Sequence, residues 1–594
     1  MLRLADITSE SSLLLASEGQ VPISIAIILA LGVGGQWLAN RLRLPGVLLL
    51  LTSGILVGPV FNIIRPEEDF GEVLFPVVSL AVGLLLFEGG LGLKIDRLTA
   101  GRSVVLRLVT IGALVTWLIG WGATALLFDG VSTSNAALIG AILVVSGPTV
   151  VIPLLHLARP REPTGAILRW EGIVIDPVGA TLAIVVLDAT LHDSSTGGAA
   201  LQIGITLGAG AVAGVVVAGL AMFALHKHWV PDHLLNPAMF AAAVVAFAAA
   251  NVIAPEAGLM ATTMLGLVLA NQHLVPSSEL TAFSEDVGHL ILGTLFIVLG
   301  ALVNLDDLAA VLPRALILIA ILVLVARPLA VWVSTIGGGL LRNDRLFLAW
   351  MAPRGIVAAA VATIFSQELV EEGGGEVPEL VPIVFATVIV TVALYGLSAT
   401  YVARKTRVAK TEPNGVALVS NNLFAVDLAD TLAAHEIPVL IISTSTAIQR
   451  AAFRKGLLAY DRPLDSHDLD LTLDGVGIKQ AILLTDDENF ASHAAHHLTE
   501  HLGRANLFQV QPDEDDDDFE LRGRQAFGDL TFQGLSTGAR AGGFRMTSGD
   551  DLAAGELALF SLEENHRVEL CSGAPLANQQ VIVVSPIKPE FLDV

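Results

Sequence analysis

The sequence is short of three things. It has a single cysteine, Cys571, among 594 residues. That excludes an intrachain disulfide and any metal site built from cysteines. Only 15% of its residues are charged, where a soluble domain has about 25%. The charge it carries is acidic, with 33 Lys and Arg against 57 Asp and Glu and a formal net charge of −24. A nucleic-acid partner would need a basic face, so none is expected. The first stretch, Met1 to Gln20, has Arg3 as its only cation and no apolar core of the kind a cleaved signal needs. It reads as a short extracytoplasmic lead-in, residues 1–20.

Apolar residues make up 54% of the chain, and mean hydropathy is +0.71. Runs long enough to span a bilayer recur through roughly the first 400 positions. Beyond them the pattern is that of a soluble domain. The expected fold is therefore a polytopic α-helical membrane domain over 21–403, a basic linker over 404–413, and a cytoplasmic part over 414–594. Thirteen spans are expected, at roughly 21–39, 46–64, 72–93, 104–128, 136–157, 171–190, 199–225, 237–253, 258–272, 287–304, 313–338, 345–366 and 379–403.

Charge sets the orientation. With the C-terminus inside, the inner loops hold Arg41, Arg43, Lys94, Arg97, Arg102, Arg159, Arg161, Arg169, Lys227, Arg342, Arg345, Arg404, Lys405, Arg407 and Lys410. The outer segments hold Arg3, Arg65 and Arg314. This is a positive-inside distribution, and it places the N-terminus outside a cell membrane. Spans 1–6 then start outside and spans 8–13 inside, as in an inverted repeat joined by span 7. Repeats of that kind bind ions where matching helices are broken. The fifth span of each half carries breakers: Ser146-Gly147-Pro148-Thr149 in one, Ala352-Pro353-Arg354-Gly355 in the other. Proline removes a backbone donor and frees a carbonyl for an ion.

Among the charges inside apolar spans, Glu88, Glu171, Asp176, Arg327 and Arg354 stand near the breaks and their motifs. Each costs about 2.5–3.5 kcal/mol or more at a helix centre. Glu171 and Arg354 are expected to form an ion pair, with Glu88 and Arg327 as accessory charges. Asp176 is left to hold a proton or a cation. The hydroxyls of Ser146 and Thr149 are the expected further ligands, since hard oxygens suit Na+ and K+.

These motifs resemble the monovalent cation:proton antiporters of the sodium/proton exchanger (NhaP-like) superfamily. The resemblance rests on Phe87-Glu88-Gly89-Gly90-Leu91, Ser146-Gly147-Pro148, Glu171-Gly172-Ile173-Val174-Ile175-Asp176 and Met351-Ala352-Pro353-Arg354-Gly355. It implies a thirteen-helix fold, a homodimer, and exchange of Na+ or K+ for H+ by an elevator-like movement. It also implies that Asp176 is the ion-binding acid and that Glu171 pairs with Arg354. Two positions depart from the family pattern. Ile175 stands where Asn or Asp is usual, and Gly147 stands where the fifth span often has Asp. One titrating acid instead of two implies electroneutral exchange.

The tail alternates strand and helix from Val416 to Val510, which argues for a parallel, Rossmann-like sheet over 414–512. It resembles the Trk/RCK-type regulatory domains of potassium channels and transporters. The glycine fingerprint is missing, because Ser420-Asn421-Asn422-Leu423-Phe424-Ala425 stands in its place. No cofactor is required, and nucleotide binding by the tail stays open beside a bare sensor or dimerisation role. An acidic linker, including Glu514 to Asp518, leads into a small β-rich subdomain over 513–594 with strands near Asp529–Phe532 and Val581–Val584. His493, His496 and His497 read as a solvated helix face. A K+ channel or uptake subunit is the alternative that the tail suggests, but no Thr-x-Gly-Tyr-Gly filter is present. Nor are there paired catalytic groups for an enzyme.

Overall fold

The computed structural model describes residues 2–42, 44–95, 101–192, 196–272, 278–372, 375–409, 414–462, 464, 468–511, 522–528, 530–548, 551–552, 556–562, 568–571 and 580–584. They form two compact units, Met1–Ala409 and Lys410–Val594. Arg97, Lys410 and the acidic run Glu514–Asp518 lie outside the described residues.

The first unit is helical because its apolar runs leave no other way to satisfy backbone groups. Among the described residues, nine helices are long and apolar enough to cross a membrane: α1 Val21–Leu42, α3 Pro66–Leu91, α4 Arg102–Leu127, α7 Thr164–Leu191, α8 Leu201–His226, α9 Leu235–Ile253, α11 Leu280–Ala301, α12 Leu305–Ser334 and α15 Leu380–Lys405. Four shorter apolar helices are α2 Gly46–Val60, α5 Thr133–Ile142, α6 Pro148–Ala158 and α10 Ala257–Ala270. Two more, α13 Arg342–Trp350 and α14 Ile356–Glu371, complete the unit. Helical backbone begins at Leu2 and runs into α1, where a separate lead-in was expected.

Contacts recur at a shift of eight elements. Helix α2 packs on α11 as α10 packs on α3, α1 on α11 as α9 on α3, and α6 on α15 as α14 on α7. Helices α4 and α12 pack on each other. Each also contains one π-helical stretch, Leu108–Gly112 and Leu322–Ala326. Small residues permit the closest approaches. A Cβ on Gly90 of α3 would fall 2.7 Å from the Thr263 carbonyl oxygen of α10. Its counterpart on α11, Gly300, would fall 2.5 Å from that of Leu51 on α2.

The two breaks also correspond. Helix α5 ends at Ile142, and Leu143–Gly147 leaves the helical path before Pro148 opens α6. Proline suits that first position, because its missing N–H would have no helical partner there. Helix α13 ends at Trp350, and Met351–Gly355 runs extended before α14.

In the second unit the first sheet holds β1 Gly415–Val419, β2 Val439–Ile442, β3 Leu458–Tyr460, β4 Ile478–Leu483, β5 Leu507–Gln509 and β6 Arg524–Gln525. Their order is β3-β2-β1-β4-β5-β6, and every pairing is parallel. Alternation splits β1 between two cores. Val416 and Leu418 pack with α16 (Phe424–Ala434) and α17 (Thr446–Arg454). Ala417 and Val419 pack with α18 (Asp468–Val476) and α19 (Glu488–Leu502). His493, His496 and His497 lie on α19, their rings within 5.3 Å of one another in two pairs. The sheet crosses the boundary expected at 512, since β6 lies beyond it. The expected strand at Asp529–Phe532 is not one. Asp529 is outside the described residues, and the Thr531 hydroxyl accepts the Gly534 N–H, capping α20 (Phe532–Gly542). Capping fixes the local structure more strongly than the β propensity of these residues. An antiparallel second sheet follows, ordered β7-β10-β8-β9, with β7 Phe544–Ser548, β8 Leu557–Leu562, β9 Val568–Leu570 and β10 Gln580–Val584.

Candidate functional site

The two breaks meet at glycine. A Cβ on Gly355 would lie 2.6 Å from the Gly147 nitrogen, so Gly355 has no room for a side chain. Asp176 of α7 reaches this crossing: a Cβ on Gly147 would lie 3.1 Å from its Oδ2 and 3.2 Å from the Thr149 hydroxyl oxygen. Asp176 is fully buried, and Thr149 nearly so. Both carboxyl oxygens of Asp176 and the Thr149 hydroxyl lack a hydrogen-bond partner. An unpaired carboxylate in apolar surroundings must be neutralised by a proton or a cation. The N-termini of α6 and α14 begin at this crossing, where the peptide dipoles favour negative charge. Ser146 is buried in the first break, and Pro353 lies in the second. Ile175, beside Asp176, is buried and carries no ligand.

The arginines occupy other roles. Arg354 Nη1 donates to the Val144 carbonyl at 2.9 Å, placing a cation just past the C-terminal end of α5. Its backbone N–H donates to the Thr391 hydroxyl of α15 at 3.2 Å. It does not pair with Glu171, as the sequence had led us to expect. Glu171 is clamped by Arg327 through both carboxylate oxygens, Nη1 to Oε1 and Nη2 to Oε2, the latter at 2.9 Å. Arg327 Nε also donates to the Leu348 carbonyl at 2.9 Å. The physical reason is the first break: its freed Val144 carbonyl takes the Arg354 guanidinium and leaves the bidentate position on Glu171 to Arg327 of α12. Glu88 stands apart, against Gly288 of α11 and within electrostatic range of Glu285. Thr391 and the Val144 carbonyl were not singled out by sequence. A threonine in an apolar span gives no signal until its partner is placed.

The segment that carries the two breaks and the buried aspartate also has a family match. A model of the sodium/hydrogen exchanger transmembrane domain matches residues 24–405. The chain belongs to the sodium/hydrogen exchanger family. Among curated relatives, the "Na(+)/H(+) antiporter 1" of Methanocaldococcus jannaschii is 26% identical over 58% of this chain and 83% of its own length. The "K(+)/H(+) antiporter NhaP2" of Shewanella baltica is 25% identical over 57% of this chain and 59% of its own. The solved structure of the M. jannaschii sodium proton antiporter at pH 8 aligns with a TM-score of 0.59 at 23% identity, over 66% of this chain and 99% of that one. The exchanger fold is therefore that of a polytopic helical membrane transporter.

The second unit offers a contrasting polar cluster at the ends of β1 and β2. Asn421 Oδ1 accepts from the Ser443 hydroxyl at 2.8 Å, and from the N–H and hydroxyl of Thr444 at 3.1 and 3.2 Å. The Asn422 N–H donates to the Ser420 hydroxyl at 3.1 Å, and Gln449 Nε2 to the Ser443 carbonyl at 2.8 Å. Among the described residues no cluster of His, Cys, Asp or Glu is arranged to hold a metal.

Proposed function

We propose that the chain is a secondary antiporter that exchanges a monovalent cation, Na+ or K+, for H+ at Asp176. The observation that carries this reading is the fully buried carboxylate with both oxygens unpaired beside the unpaired Thr149 hydroxyl. Its relatives are named as Na+/H+ and K+/H+ antiporters, which are transporters and not enzymes. Asp176 holds one proton or one cation at a time. Thr149, Ser146 and carbonyls freed near Pro148 complete the cation's oxygen shell. Arg354 and the Glu171–Arg327 pair are fixed charges that neither load nor unload. With Gly147 and Ile175 beside it, Asp176 is the acid at the crossing and has no second carboxylate next to it, so exchange is one H+ per cation and electroneutral.

The recurrence of contacts at a shift of eight elements supports thirteen crossings in two inverted halves, each broken helix pair counting as one. The positive-inside distribution supports an outside N-terminus and a cytoplasmic C-terminus in the cell membrane, and the family supports a homodimer. The strand order of the first sheet is that of dinucleotide-binding folds, which supports a Rossmann-like regulatory unit. Its β1–β2 ends hydrogen-bond to one another, and the glycine fingerprint is missing there, so a bare sensor or dimerisation role stands beside nucleotide binding.

The test is proton movement in everted vesicles, wild type against Asp176→Asn, with Na+ and K+ added separately. The wild type should dissipate the pH gradient and the variant should not. A variant as active as wild type removes Asp176 from the mechanism.

A further inference from the structure

The end of α15 is not a free linker. Arg407 reverses the chain in the left-handed region, φ 55°, a conformation usually left to glycine or asparagine at a helix end. The N–H groups of Val408 and Ala409 both turn back to the Ala403 carbonyl, at 3.0 and 3.1 Å. Val408 is thereby buried completely. Its carbonyl accepts the N–H of Arg161 at 2.8 Å, and Pro160 and Ala409 form an antiparallel bridge. The residue after Ala409 is the first of the second unit.

The other side of this junction is the short loop between α6 and α7. Pro160 follows α6 closely, and Arg161 stands just before α7. The loop is held from within. The Glu162 carboxylate accepts the Ala166 N–H at 2.9 Å, and Gly165 lies close enough to Pro160 that a Cβ would sit 3.1 Å from its carbonyl oxygen. Arg161 also reaches across to α13: Nη2 lies 3.5 Å from Asp344 Oδ1. Asp344 is only 2% exposed and stands in the first turn of α13, so its charge needs a cation nearby. One residue thus touches the strap into the second unit through its backbone, and the broken α13 through its side chain. It sits in the loop that joins α6 to the Asp176-bearing α7.

We propose that this junction is the coupling point of the molecule, and that Arg161 is its positioning residue. The strap Thr406–Ala409 then moves as one piece with α6, α7 and α13. The chain leaves the first unit from a segment fixed to the elements that carry the ion site. Regulation by the second unit needs no separate contact with the site, because a pull on the strap is a pull on the α6–α7 loop. The regulatory consequence rests on Asp176 being the transport site; the mechanical junction does not.

Two experiments on the full chain test this. In the first, Pro160→Cys and Ala409→Cys are introduced with Cys571→Ser. Bridged residues have Cα atoms about 4.5–5.5 Å apart, within reach of a disulfide. The pair should cross-link nearly completely on oxidation, and transport in proteoliposomes should stay within about two-fold of the reduced sample. Failure to cross-link overturns the proposal. So does transport lost on oxidation and regained on reduction, because the strap and loop would then separate in each cycle.

The second compares Arg161→Ala with Arg161→Ala/Asp344→Asn. Backbone hydrogen exchange over 164–172 and 406–409 should quicken together in the single variant. It should slow together in the double, where the orphaned buried charge is gone. The apparent KM for the driving cation should rise about ten-fold in the first and recover in the second. Exchange that quickens in only one segment, or no recovery in the double variant, overturns the coupling. If the exchange pattern holds while Asp176→Asn still transports, the junction stands and the assignment of Asp176 falls.

Discussion

Two polar clusters sit at breaks in regular structure, one in each unit, and they are resolved in opposite ways. At the crossing of Gly147 and Gly355, Asp176 and Thr149 are buried and unpaired. At the ends of β1 and β2, the side chains of Ser420, Asn421, Ser443 and Thr444 pair with one another or with nearby backbone. Burying a polar group without a partner costs about 1–3 kcal/mol, and more for a charge. The first cluster bears that cost and the second does not. The unpaired cluster is the one we propose as the transport site.

That contrast can be attacked from several sides. Breaking the charge pair beside the unpaired cluster should have the largest effect. Arg327→Ala leaves Glu171 buried without its clamp, and the first unit should lose about 3–5 kcal/mol of stability, read as a lower melting point in detergent. Replacing both partners, as in Glu171→Gln/Arg327→Met, should regain most of it. Next comes the crossing itself. Gly355→Ala puts a Cβ 2.6 Å from the Gly147 nitrogen, and a displacement of about 1 Å at a reacting site costs about 100-fold. Exchange in everted vesicles should fall by about that factor, with the melting of the second unit unchanged.

The self-satisfied cluster should answer differently. Asn421→Ala removes the acceptor shared by Ser443 and Thr444, which should destabilise the second unit by about 1–3 kcal/mol. The site's own affinity for cation, measured on the purified protein, should not move. A shift in cation affinity would mean that the cluster is part of the site. The smallest effect belongs to a solvated pair. Lys455 bonds Asp427 at 2.8 Å and Asp430 at 2.9 Å. Chiefly the hydrogen bond to Asp427 raises its pKa above the ordinary lysine value. A raised pKa makes this contribution complete at neutral pH, to be lost only as pH rises through the folded value. Because Lys455 is 38% exposed on its side chain, Lys455→Met should cost about 0.5 kcal/mol or less at pH 7, as read by denaturant melts.

Much of this was legible in the sequence, for identifiable reasons. Asp176 announced itself because a carboxylate in an apolar run has to be accounted for. The breaks at Gly147-Pro148 and Pro353-Gly355 announced themselves because proline and glycine punctuate helices. Four strands of the first sheet followed from apolar runs between helical stretches, whereas β3, with only one of its three residues buried, and the exposed two-residue β6 did not. The partner of Glu171 was not legible. Arg327 and Arg354 are both buried arginines in neighbouring spans, and which of them reaches Glu171 depends on how the extended segment Met351–Gly355 directs Arg354 toward Val144. The strap after α15 was read as a basic linker. Its anchoring comes from the left-handed turn at Arg407 and the burial of Val408, and neither has a sequence signature.

The central claim is that Asp176 gives up a proton when it takes a cation. Proton release on adding Na+ or K+ to the detergent-solubilised protein in weak buffer tests it most directly. The account predicts about one proton released per chain by wild type at saturating cation, following the single-site competition, and none by Asp176→Asn. Undiminished release from Asp176→Asn, or cation binding by wild type with no proton released, would contradict it.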